Sequence, residues 1–467
     1  MVEPVESGML PEEASLGTTG ATTKLCGRTL SMPDTGLSPR RRKTVRRISL
    51  RLLPFLFLLY IIAFLDRVNV SFAGLEMTRD LSFSDRVFGL GAGIFFVGYV
   101  VFEIPGALLV ERWSARRVIA RILVTWGVVT LLVALVRTPN QFYTARFLLG
   151  AAEAGFFPGV VVYLTHWFRY EDRAKAAALF MAAIPVANVI GSPLAGAILG
   201  VHWAGWPGWR WLFVLEGIPA VVFGVVTLFY LPDWPKDAGW LQLEEREWIS
   251  RELAREKDAK PQSADASIGQ ALRMPQVILL TVVYFLAVTG VYGFAVWFPT
   301  ILKRATGFSN LTVTLLAALP YLAGVAAMLF NGWHSDRTRE RRWHTAIPLF
   351  FGAACLCAAL FTGGHLLVAF ALMVIVGACT TAFLPSFWPL PTQFLSASAA
   401  AASIGLINAL GNLGGFLGPY AMGFLRSLTG SFAAGLTVLL MCMAAGGVLV
   451  LLLPTRKQEG QGDADDQ

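Results

Sequence analysis

Apolar runs of about 20 residues, the length a helix needs to cross the hydrocarbon core of a bilayer, recur from Leu50 to Leu453. That repetition leaves few architectures open. Inside a bilayer every backbone N–H and C=O must be satisfied within the protein, so a series of such runs packs as a bundle of helices. The charge content agrees: 15% of the residues are charged, against about 25% in soluble domains. The chain reads as an all-α polytopic membrane protein.

Twelve transmembrane helices fit, at about 50–76, 87–111, 117–136, 141–167, 174–200 and 211–231, then 275–301, 311–333, 345–363, 366–386, 400–425 and 431–453. The organisation expected is a disordered cytoplasmic tail over 1–47, a six-helix half over 48–231 and a cytoplasmic loop over 232–274. A second six-helix half over 275–454 and a short tail over 455–467 complete it. Residues 1 to about 39 are rich in Gly, Ser, Thr, Pro and Glu without periodicity, which predicts disorder. The first residues are acidic and lack an apolar h-region, so no cleavable signal peptide is expected.

The net charge of +8 raises the question of nucleic acid. Its distribution argues instead for membrane orientation, because basic residues gather in short loops at alternate ends of the apolar runs. RRRKTVRR precedes the first run; Arg112, Arg116 and Arg117, then Arg169, Arg173 and Lys175, then Arg337, Arg339, Arg341 and Arg342 follow others. Both termini are therefore expected in the cytoplasm, which requires an even number of spans. The five cysteines include no CxxC pair and read as packed free thiols. The five histidines fall at helix ends or loops without HExxH or comparable spacing, so neither metal nor cofactor is expected. GLGAG (89–93) and GNLGGFLG (411–418) lie in apolar helices with no GK[ST], and read as helix-packing surfaces rather than phosphate loops.

Against this apolar background a few ionisable residues stand out. ARFLLGAAEAGFFPG (145–159) carries Arg146 and Glu153 among small residues. Seven residues span about 10 Å of helix and return the side chain to nearly the same face. Asp66 and Arg67 sit deep in the first span, with Asn69 about a turn from Asp66. Charges at depth are costly and need a partner, water or a function. A carboxylate that meets an arginine in one conformation and loses it in another takes up and releases a proton, which is what proton-coupled transport requires. The competing interpretation is a static ion pair fixing the first helix against the fourth. Glu103 reads as structural rather than coupling, and Glu216 carries no assignment. The second half holds almost no ionisable side chain between its helix ends. Its polar groups are Tyr284, Tyr292, Trp297, Trp388, Asn408 and Asn412, and aromatic residues at headgroup depth are common in any case.

ERWSARR (111–117) and DRTRERR (336–342) match without a gap and close the second helix of each half. A repeat related by an axis along the membrane normal is a transporter trait. These two loops resemble the helix 2–3 and helix 8–9 motif of the major facilitator superfamily, with Glu111 for Asp and Ala115 for Gly. LDRVNVSFA, RFLLGAAEAGFFPG, LPDWPKDAGWLQLEER and FWPLPTQFLSASAAAASIGLINALGNLGGFLGP further resemble the anion:cation symporter family. The likeness covers about residues 47–455. It implies two pseudo-symmetric six-helix halves that move an organic anion, mostly carboxylates, driven in bacterial members by protons.

On that footing Arg67 and Arg146 are the candidates for the substrate carboxylate, since guanidinium offers a planar fork, and Asp66 and Glu153 the candidates for proton coupling. The resemblance places both pairs at a central cavity and matches Trp388 and Asn408 to cavity positions. Tyr60, Tyr99, Asn188, Tyr284, Tyr292 and Asn412 are further candidates for substrate binding, and Ser192 is an additional hydrogen-bonding candidate. Glu111, Arg112, Arg116, Arg117, Asp336 and Arg337 are the candidates for conformational gating. The expectation is a monomeric transporter in the bacterial inner membrane that imports an organic acid with protons. A facilitator, exchanger or exporter on the same fold, a nutrient sensor and a membrane-embedded enzyme are the alternatives. The last lacks any nucleophile–base or metal spacing.

Overall fold

The computed structural model describes residues 39–258, 273–394 and 397–454. The tails expected over 1–38 and 455–467, and the middle of the central loop, lie outside the described residues. Every regular element among those residues is helical.

In the first half α1 is Pro39–Asp80, α2 Asp85–Arg112, α3 Ala115–Val133, α4 Pro139–Glu153, α5 Phe156–Thr165, α6 Tyr170–Met181, α7 Ala183–Leu199 and α8 Gly208–Tyr230. A connecting helix, α9, is Leu243–Asp258. The second half contains α10 Pro275–Thr306, α11 Asn310–Ala317, α12 Leu319–Thr338, α13 Arg342–Leu360 and α14 Leu366–Ala382. It continues with α15 Leu384–Phe387, α16 Leu390–Phe394, α17 Ala397–Gly411, α18 Gly414–Thr429 and α19 Ala433–Leu451.

Among the described residues, ten segments are long and apolar enough to span a bilayer by themselves. Two further crossings complete the twelve. One is α3, whose first turns carry Arg116, Arg117 and Arg121. The other is α17 with α18, small-residue helices interrupted at Asn412 and Leu413. Several crossings are likewise made of two helices in series: α4 with α5, α6 with α7, α11 with α12. Such breaks are tolerated in a membrane where neighbouring helices re-satisfy the freed backbone groups.

Helix α1 begins at Pro39, ahead of the position near 50 expected from hydropathy. Residues 39–47 are therefore helical, not part of a disordered tail. Apolar patterning misses this turn because its residues are basic. Arg47 pairs with Glu245 of α9 at 2.7 Å, and Thr44 donates to the same carboxylate. Arg173 of α6 pairs with Glu256 of α9 at 2.9 Å, so the connecting helix is tied to two helices of the first half.

Close packing within each half rests on small residues. Helix α3 lies along α8, and α2 along α4. At Gly150 of α4 an added Cβ would run into the backbone carbonyl of Phe95 in α2. The two halves meet along α2 with α18 and α7 with α11. Several polar contacts join them where α1, α10 and α18 end and α2 and α11 begin. Asp85 receives Arg304 through two bonds of 2.8 and 2.5 Å and lies 3.9 Å from Arg426. Asn310 donates to Glu76 at 2.7 Å, and the Arg86 amide to Ser427 at 2.9 Å. Ser192 donates to the Thr314 carbonyl at 2.5 Å.

A side chain at Gly150 must push α2 from α4, whereas nothing lies within 4 Å of a Cβ at Gly405. Gly150→Val is expected to cost about 1–3 kcal/mol by overpacking. Gly405→Ala is expected to be neutral or to stabilise by up to about 1 kcal/mol through helix propensity. Thermal unfolding of the two purified variants in detergent checks the contrast.

Candidate functional site

Arginine and carboxylate in α1 and α4 can meet only if the helices approach closely, and the small residues of ARFLLGAAEAG allow this. The guanidinium of Arg67 in α1 forms an ion pair with Glu153, the last residue of α4. Glu153 is 2% exposed. Directly after it the helix stops: Ala154 turns to φ −55°, ψ 134°, and Gly155 takes φ 87°, a left-handed conformation that costs glycine little and other residues more. Helix α5 then starts at Phe156. The charged pair therefore sits at a discontinuity within a membrane crossing, the arrangement in which transporter helices expose polar groups at depth.

Aromatic rings surround this pair. The Arg67 guanidinium lies 5.1 Å from the ring centres of both Phe64 and Tyr99 and 5.7 Å from that of Phe95. Tyr60, Tyr99 and Tyr292 stand within electrostatic reach of it. Tyr60 is itself packed, stacked on Phe180 at 4.3 Å. Tyr292 belongs to α10 and meets Phe96 of α2 at 4.4 Å, so both halves contribute to the enclosure.

Arg146 sits elsewhere in the cluster. It is 1% exposed, donates from Nε to the Gly91 carbonyl at 3.4 Å and lies 4.9 Å from the Phe95 ring centre. Its Nη1 is buried without a hydrogen-bond partner among the described residues. Although Arg146 and Glu153 share a helix face, Glu153 takes Arg67 as its partner. Asp66 turns away from Arg67 towards α3. It accepts from Asn69 at 2.7 Å, from Thr130 at 2.5 Å and from the Trp126 indole N–H. Neighbours about 100° apart on a helix point into different compartments, and the two halves of the Asp66–Arg67 dipeptide do so here.

In the second half Tyr284 is buried against Phe387 and Trp388, with ring centres 5.2 and 5.0 Å away. Asn408 of α17 donates to Glu103 of α2 at 2.7 Å, joining the two halves. This bond gives Glu103 a partner across the halves; a lone carboxyl ahead of Pro105 was its only mark in the sequence. Asn412 donates to the Asn408 carbonyl, and Trp297 is fully buried with its indole N–H on the Pro419 carbonyl. Asn188 donates to Ile184 O at 3.1 Å, and its buried Oδ1 has no partner among the described residues. Thus Arg67, Glu153, Tyr60, Tyr99 and Tyr292 come together. Asp66 lies within electrostatic reach of Arg146, and Asn188 bonds within its own helix and to neither group among the described residues.

The two loop motifs are paired differently from one another. Side chains of Glu111 and Arg112 lie outside the described residues. Arg116 reaches Asp233, just past α8, at 3.7 Å. The same carboxylate accepts from the Arg116 amide and from Ser114, the N-cap of α3. Arg117 is exposed. Asp336 pairs with Arg341 at 2.5 Å, while Arg337 lies 5.6 Å from the Trp333 ring centre. The first motif is thus anchored by an acid distant in sequence, whose position no local pattern reveals.

The model of the Major Facilitator Superfamily matches residues 56–419 and, in a second match, 280–464. A protein of Agrobacterium vitis named for tartrate transport is 45% identical over 90% of this chain and 96% of its own. A quinolone resistance transporter of Acinetobacter baumannii is 38% identical over 88% and 94%. The inward-facing, unoccupied crystal structure of a bacterial homologue of the human lysosomal transporter Spinster aligns with a TM-score of 0.70. It is 18% identical and covers 89% of this chain and 96% of that one, a likeness of fold. By these matches and by its membrane-spanning helices, the chain belongs to the major facilitator superfamily, in the branch whose motifs it shares, and is a multi-pass membrane transporter rather than an enzyme.

Proposed function

We propose that this transporter imports an organic acid together with protons across the bacterial inner membrane, working as a monomer by alternating access. The observation that carries the reading is the buried Arg67–Glu153 pair at the break between α4 and α5, beside Arg146 with its unpartnered Nη1. An arginine fork fits a carboxylate better than any neutral substrate. The relative named for tartrate transport supports the same substrate class.

Protonation of Glu153 releases Arg67, and the substrate carboxylate takes the vacated guanidinium with Arg146 alongside. Tyr284, Tyr292 and Trp388 hold the organic body, and Asn408, Asn412 and Asn188 offer hydrogen bonds. Asp66 is the second coupling carboxylate. After release of anion and proton the Arg67–Glu153 pair re-forms, which neutralises the site for the return. The arginine-rich loops support a cytoplasmic position for the side of the bundle on which they lie. The Asp85, Glu76 and Arg86 contacts then close the outer end, in keeping with a state shut to the outside. Arg116, Arg117, Asp336 and Arg337 tune this switch from the cytoplasmic face, with Glu111 and Arg112 from the same motif.

A second reading, export of a carboxylate-bearing aromatic drug, is favoured by the relative named for quinolone resistance. Uptake of a panel of labelled acids headed by L-tartrate, with and without a protonophore, separates the two. Accumulation that collapses with the protonophore is expected. Lowered quinolone accumulation without uptake of any acid would favour export.

Glu153→Gln is expected to abolish accumulation while preserving exchange of substrate across the membrane; loss of exchange as well would sink a purely coupling role. Arg146→Ala is expected to lower uptake at least about tenfold, the worth of roughly 1.4 kcal/mol, and Arg146→Lys to restore little, because a point charge replaces a planar fork. Initial rates in proteoliposomes at matched protein content provide the check. Arg67→Ala leaves Glu153 buried without its cation, a loss of about 3–5 kcal/mol, so its unfolding temperature is expected to fall unless Glu153→Gln is added.

A further inference from the structure

Glu216 of α8 takes no part in the mechanism above, yet it is 6% exposed in the body of the first half. Its neighbours define its state. Asp66 of α1 stands within electrostatic reach, and Asn69 of α1 within hydrogen-bonding reach. Asn69 already donates to Asp66 at 2.7 Å, so one amide side chain lies between two carboxyls. Two acceptor oxygens, Asn69 Oδ1 and Glu216 Oε2, are buried without a donor among the described residues.

Charge balance points the same way. The fully buried carboxyls of the bundle are Asp66, Glu103, Glu153 and Glu216. The cations at that depth are Arg146 and the nearly buried Arg67, which is taken by Glu153. Arg169 is also buried, but it pairs with Asp172 at the head of α6. Arg146 has Asp66 and Glu153 as its acidic neighbours, and Glu216 has no cation beside it among the described residues. Helix α3, packed along α8, presents Trp126 and Thr130 to Asp66 and carries its arginines only in its first turns. Helix α7, also packed on α8, has no ionisable residue. An ionised Glu216 would be a buried, uncompensated anion next to another, at a cost of several kcal/mol.

We propose that Glu216 is a proton-bearing carboxyl linked to Asp66 through Asn69. Its O–H donates to the Asn69 amide oxygen, which turns the unpartnered Glu216 oxygen into a donor, gives Asn69 Oδ1 the donor it lacks and fixes the amide so that its N–H points at Asp66. Glu216 is then a positioning residue for Asp66 and a proton store beside it within the closed interior of the first half. The second role rests on the proton-coupled reading above; the protonation itself rests on burial and charge.

Infrared spectroscopy of the purified full-length chain at neutral pH tests this without any substrate, so a failure of the organic-acid reading would not be mistaken for a failure here. Subtracting the Glu216→Gln spectrum from that of the unaltered protein is expected to reveal one carboxylic-acid C=O band. Asp66→Asn, with Glu216 intact, is expected to shift that band, because Asn69 loses its charged partner. Identical carboxylic-acid regions with and without Glu216→Gln would show an ionised Glu216 and overturn the proposal. A band unmoved by Asp66→Asn would overturn the linkage. Should Glu216→Gln fail to fold, Glu216→Asp serves in its place: a shifted band supports the proposal, and an unchanged one overturns it.

Discussion

Burying a charge where no water can reach it is the constraint on which the arrangement of this protein depends. Each ionised side chain at depth must find a counter-charge or several donors, and the helices are placed so that this happens. Glu153 has Arg67. Asp66 has Asn69, Thr130 and the Trp126 indole. Satisfying them draws α1 onto α3 and α4, and the small residues along α4 permit the approach. The same demand explains why α4 ends at Glu153. A helix terminus frees backbone groups and leaves the carboxylate beside the break at Gly155 rather than within a continuous helix.

The two halves divide the work unequally. The first carries the charged groups; the second contributes rings and amides, with Tyr292 near Arg67 and Asn408 on Glu103. A carboxylate substrate has a charged end and an organic body, and this asymmetry suits both. Under the proposed alternating access, contacts between the halves must break and re-form. Asn408 with Glu103, and Asp85 with Arg304 and Arg426, are therefore bonds whose cost enters the conformational equilibrium, and a ligand shifts that equilibrium only by favouring one state over the other.

Anchoring at the other end is made by carboxylates of the connecting segment. Asp233 holds the head of α3, Glu245 the start of α1 and Glu256 the head of α6. Partly exposed pairs of this kind contribute little stability singly. Together they fix where helices of the first half end, and so couple the connecting segment to any movement of that half.

Hydropathy alone determined the class of this protein. A run of about 20 apolar residues has one stable form in a bilayer, so the helical bundle and its crossings were legible wherever a run was long. The motifs of α1 and α4 and the paired loops were legible too, because charge within an apolar run is rare enough to mark function. Partner choice was not. Helical spacing puts Arg146 and Glu153 on one face, but whether a guanidinium meets a carboxylate depends on helix rotation and on breaks such as that at Gly155, which are set by packing across the bundle. The links from Asn408 to Glu103, from Arg116 to Asp233 and from Asp66 to Thr130 join residues far apart in the chain. Tertiary structure alone decided them, since a buried polar group takes whichever partner the folded bundle brings within a few ångströms.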